Sequence, residues 1–363
     1  MSNFFMPKYS RIFINQIYHF MCLLFVLCLL APISTSASGP SSSKVNNPAN
    51  DLWISVRHNT ESGKITSQVK SVDSTVLINS RAEQWTWFRM TLLIKYGLVA
   101  LVFMIVVIFL IFLIRGKIKL ENGLSGNMVH RFTDYERVLH WMLAILFIFL
   151  AVTGLILLFG RPILIPILGH EVVAVLASAS KEGHNLFGPL FFVSLVLMLF
   201  RFVKRNIYER GDLTWLLRGG GLIGKSHVTG GFFNMGEKTW YWMVILIGLA
   251  ISVSGLTLVS PSLGQSRLIM ELSHVVHGVA AIILITVALG HMYLASKGTE
   301  GTLESMKTGY VDISWAEEHH DRWAKECHEN NQLISAEDYA KLQGKVVLKQ
   351  QSAAVSPVME ESK

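Results

Sequence analysis

Between residues 96 and 295 the chain contains five apolar runs without a single Lys, Arg, Asp or Glu: residues 96–114, 141–160, 184–200, 240–259 and 275–295. About 20 residues at 1.5 Å each cross a hydrocarbon core of about 30 Å, so each run is a candidate spanning helix. The run at 184–200 is 17 residues long and needs flanking residues to extend it. Composition agrees: of 363 residues 51% are hydrophobic and only 16% are charged, against roughly 25% charged in a soluble domain. Such a balance excludes a soluble globular protein, a disordered chain and a basic nucleic-acid binder. The expected fold class is an all-α membrane protein.

Lys8 and Arg11, the apolar stretch 12–30, Pro32 and the small residues of 34–39 read as a signal peptide cleaved near Ala37. The alternative is an uncleaved signal anchor. Cys22 and Cys28 leave with the signal, so Cys327 alone remains. Neither a disulfide nor a cysteine-based metal cluster is then possible within the chain. Any redox centre must use other ligands.

Basic residues orient the bundle. The segments 115–139 and 204–238 carry five and six Lys or Arg, whereas 161–183 and 260–274 carry two and one. That bias puts the first two segments in the cytoplasm and the polar stretch after the signal outside. The expected domains are a signal at 1–37, a periplasmic extension at 38–89, an extra transmembrane helix at 90–115, a four-helix core at 131–296, and a cytoplasmic tail at 297–363. Residues 161–183, with Pro162, Pro166 and Glu171, read as an interfacial loop. Thr133 and Glu136 have capping-box spacing, so the second span begins near Thr133.

Ionisable residues within membrane helices are functional suspects. His277 and His291 lie 14 residues apart on one helix, which returns to within about 40° of the same face after a rise of about 21 Å. The topology puts His184 level with His277 near the outer surface, and His140 level with His291 near the inner one. Neutral imidazole is an axial ligand of haem iron, and two bis-histidine haems stacked across the membrane use all four. His274 is the competing outer ligand, but it sits about 100° away from His291. His170, His227 and the pair His319 and His320 read as solvated or surface residues. Gly154 faces the same way as His140 at the depth of the outer haem, where a missing side chain admits a flat cofactor. Gly188, Gly248, Gly255 and Gly278 have the same reading, with ordinary small-residue helix packing as the alternative.

The motifs RVLHWM (137–142), EGHNLFG (182–188), FNMGEK (233–238), the histidine helix 277–295 and WAEEHHDRW (315–323) carry a resemblance. From about Arg131 to Lys325 the chain is similar to the cytochrome b (gamma) subunits of respiratory formate dehydrogenases. That resemblance implies a four-helix dihaem bundle, with the helix at 90–115 as an addition. His140 and His291 would hold the inner haem b, and His184 and His277 the outer one. Asn234 and Gly236 match a quinone-contacting loop, and Glu237 stands where the best-known relatives have Gln. The implied role is electron transfer in anaerobic respiration, in a bacterial inner membrane, to menaquinone or ubiquinone. The implied partners are an iron–sulfur (beta) subunit and a molybdenum or tungsten catalytic (alpha) subunit. Rivals are the cytochrome b subunit of a hydrogenase or thiosulfate reductase, and a transporter whose histidines relay protons.

Overall fold

The protein is described by a computed structural model over residues 80–217, 229–260 and 263–342. The expected signal peptide, residues 38–79 of the expected extension and His227 lie outside these residues. Among the described residues five helices are long and apolar enough to cross a membrane. The chain enters through α1 (Ser80–Trp87) and a π-helical turn (Phe88–Leu93) that continues into α2 (Ile94–Arg115). After it come α3 (Asp134–Phe159), the short α4 (Ile165–Leu168), α5 (His170–Phe202), the short α6 (Asp212–Leu217), α7 (Met235–Val259) and α8 (Arg267–Tyr293). The all-α membrane fold follows from the apolar runs as expected.

Local chemistry sets the helix ends. Thr133 accepts from the Glu136 N–H while the Glu136 carboxylate accepts from the Thr133 N–H, the capping box read from the sequence. Asn234 and Glu237 repeat that device at the start of α7. The expected interfacial loop at 161–183 is largely helical instead. Pro166 sits in the first turn of α4, where its missing N–H costs nothing. Only Gly169, at φ +82°, interrupts the path before α5 starts at His170. His184 therefore lies about four turns into a 33-residue helix rather than at its start.

The spans pack as two hairpins, α3 with α5 and α7 with α8, joined through α5 and α7. Leu139, Leu143, Leu195, Phe202 and Ile245 form the core between α3, α5 and α7. Helix α2 lies outside this bundle against α8, where Leu93 fills a notch that a Cβ on Gly278 would close to 2.7 Å. The tail folds back over one end of the bundle as α9 (Thr302–Thr308), α10 (Ile313–His319) and α11 (Asp321–Glu329). Strands β2 (Tyr310–Asp312) and β3 (Leu333–Ile334) pair antiparallel with the two edges of β1 (Met128–His130), in the order β2-β1-β3. The Asp312 carboxylate accepts from the Ser125, Gly126 and Ser314 N–H groups, which closes this cap.

Candidate functional site: two histidine pairs

The His184 and His277 rings meet between α5 and α8, with centroids 6.0 Å apart. Two imidazoles trans on one metal, each nitrogen about 2 Å from it, place their centroids about 6 Å apart. Their second nitrogens are already engaged. His277 Nδ1 is 3.0 Å from the Ile251 carbonyl, which can only accept, so Nδ1 carries the proton and Nε2 the lone pair. His184 Nδ1 is 2.9 Å from Thr153 Oγ1. Tying down Nδ1 in this way orients a histidine for metal ligation through Nε2.

At the opposite end of the bundle, His291 stacks on Trp240 of α7, centroids 4.7 Å apart and 17° from parallel. His140 lies within electrostatic range of His291. Its Nδ1 is buried and has no hydrogen-bond partner among the described residues. All four histidines are half-buried. Among the described residues no three His, Cys, Asp or Glu come together, so the donors are pairs. Pairs do not suit a protein-caged metal such as zinc. They fit haem, which supplies its own equatorial nitrogens and needs only axial ligands.

His274, the competing ligand, turns away and stacks on Trp85, centroids 5.0 Å apart. Gly154 and Gly255 face the histidine rings rather than open space: a Cβ would sit 3.3 Å from His184 Cε1 and 3.0 Å from His277 Cε1. Gly248 and Gly278 instead make room for Leu195 and Leu93, and nothing approaches Gly188 within 4 Å. Small-residue packing explains Gly248 and Gly278.

The Asn234 loop lies at the His291 end, with Glu237 within electrostatic range of His291. The Asn234 side-chain oxygen is taken by the helix cap, and the Glu237 carboxylate pairs with Arg131. At Gly236 a Cβ would meet the Trp215 ring at 2.8 Å. Sequence reasoning missed His320, which is fully buried rather than at the surface. Its Nδ1 donates to the Gly231 carbonyl at 2.9 Å, so Nε2 accepts from Arg131 at 3.3 Å. Burial, with the Arg131 charge adding to it, holds His320 well below its ordinary pKa and neutral.

Residues 131–309 match the prokaryotic cytochrome b561 family. The chain is 31% identical over 210 residues to the formate dehydrogenase cytochrome b556(fdo) subunit of Escherichia coli K12, covering 57% of this chain and 96% of that protein. It is 30% identical over 210 residues to the nitrate-inducible formate dehydrogenase cytochrome b556(Fdn) subunit of the same organism, covering 56% of this chain and 93% of that one. It is 28% identical over 220 residues to the formate dehydrogenase cytochrome b556 subunit of Haemophilus influenzae, covering 58% of this chain and 87% of that protein.

Proposed function

Since the chain belongs to the family of formate dehydrogenase cytochrome b subunits, which transfer electrons in a membrane through haem b, we propose that it carries electrons between two haems b and on to quinone. The observation that carries this reading is the His184–His277 pair, spaced for one metal with both Nδ1 atoms tied down. His184 and His277 hold one haem, and His140 and His291 the other. Each bound haem supplies a one-electron iron couple. On α8 His277 lies near the middle and His291 in the last turn, 14 residues and about 20 Å of helix rise apart.

The excess of basic residues at 115–139 and 204–238 orients the bundle with the His140–His291 end and the cap in the cytoplasm. The His184–His277 end then faces the outside of a bacterial inner membrane, where an iron–sulfur subunit docks and a molybdenum or tungsten subunit oxidises formate. Residues 131–296 are the electron-carrying core, and 90–115 an added helix. Menaquinone or ubiquinone takes two electrons and two protons beside Asn234, Gly236 and Glu237. With the Asn234 oxygen spent on the cap, its amide nitrogen is the donor for a quinone carbonyl, and Trp240 bridges from this loop to His291.

The test is reduction of the membrane-bound complex. Formate should reduce the haem b absorbance and added quinone should reoxidise it. Reduction by hydrogen and not by formate would assign the chain to a hydrogenase instead.

A further inference from the structure

The stretches 152–155 on α3 and 253–256 on α7 read VTGL and VSGL. Each sets a hydroxyl and then a glycine against a histidine of the helix it packs along, Thr153 and Gly154 against His184, Ser254 and Gly255 against His277. The hydroxyl protons have other destinations. Thr153 Oγ1 lies 2.9 and 3.1 Å from the Phe149 and Leu150 carbonyls. Ser254 Oγ lies 2.6 and 3.0 Å from those of Ala250 and Ile251. A hydroxyl has a single proton to give, so toward the imidazole each oxygen is an acceptor. Thr153 thus takes the Nδ1–H of His184, and Ser254, at 3.3 Å, shares that of His277 with the Ile251 carbonyl.

We propose that Thr153 and Ser254 are positioning residues that set the reduction potential of the haem at His184 and His277. The inference rests on the assignment of that pair as haem ligands. An acceptor on Nδ1–H makes the imidazole a stronger donor to metal. A stronger donor favours ferric over ferrous iron and lowers the potential. Among the described residues the buried Nδ1 of His140, by contrast, has no acceptor, so this ligand is the weaker donor and its haem keeps the higher potential. The difference drives electrons from the His184–His277 site toward the His140–His291 site.

The test is a redox titration of the full-length protein in membranes, followed by haem absorbance, with His184→Ala identifying which component belongs to this site. Thr153→Val keeps the shape and removes the acceptor. It should raise that component's potential by about tenfold in the reduction equilibrium, about 59 mV for one electron, and leave the other unmoved. Thr153→Ser should restore the wild-type value. Ser254→Ala should give a smaller rise, because the Ile251 carbonyl keeps the His277 proton. Haem loss in Thr153→Val with Thr153→Ser loaded would support the positioning role, and Ser254→Ala would then have to show the rise. Both haems present with no shift in either variant, or with equal shifts of both components, would overturn the inference. A wild-type protein with a single haem would instead overturn the ligand assignment beneath it.

Discussion

The Arg131 guanidinium donates to both carboxylate oxygens of Glu237, at 3.1 and 3.2 Å, with 2% of the Arg131 side chain exposed. Phe132, Phe232, Phe233, Trp315 and Trp323 surround the cation and leave it little contact with solvent. Removing one partner of a buried pair costs about 3–5 kcal/mol. Glu237 is one-third exposed, which puts the cost at the lower end. Glu237→Gln keeps the capping box, which accepts Gln as well as Glu, and isolates the charge. Its unfolding midpoint in detergent should fall clearly; an unchanged midpoint would refute the role of the pair.

Gly309 joins the cap to the bundle. Its carbonyl accepts from the Arg131 and Phe132 N–H groups at 2.8 and 3.1 Å. Its φ is +88°, and a Cβ would lie 2.6 Å from the Phe132 carbonyl oxygen. Gly309→Ala should destabilise the cap by at least about 1–3 kcal/mol. Faster proteolysis of the tail checks this, and wild-type resistance would contradict it.

The buried, neutral His320 makes the cap acid-sensitive. Unfolded, the imidazole titrates near its ordinary value of about 6.5; folded, it titrates well below that. Below about pH 6.5 the unfolded chain therefore binds a proton that the folded chain does not. Stability is full above that pH and falls on acidification, by at most about 1.4 kcal/mol per pH unit. Thermal unfolding of wild type and His320→Gln between pH 7.5 and 5 should show a steeper loss in the wild type. Parallel curves would remove His320 as the cause.

Local signals were the legible ones. Five charge-free runs announce five spans, and the Thr133–Glu136 box marks the start of α3 because its partners lie three residues apart. Residues 161–183 look like a loop because they carry prolines and a glutamate, yet Pro166 and Glu171 occupy first-turn positions that tolerate them. His320 looks like a surface residue in the sequence because two of its polar partners, Arg131 and Gly231, lie 189 and 89 positions away. Thr153 and Ser254 look like small helix-packing residues until the facing helices bring His184 and His277 against them. Asn234 and Glu237 have capping-box spacing in the sequence, and the structure uses them so.

Quinone access is tested at Asn234. Asn234→Leu removes the amide nitrogen from the loop beside His291 and also the cap, costing about 1 kcal/mol of helix stability. Formate should still reduce both haems in this variant, while quinone should no longer reoxidise them. Wild-type reoxidation would move the quinone site elsewhere.

The most direct measurement is the haem content of the purified chain by pyridine haemochrome. Two haems b per chain are expected, with His277→Ala and His291→Ala each keeping one, and with different residual spectra. One haem or none in the wild-type protein, or the same residual haem in both variants, would contradict the two-pair site.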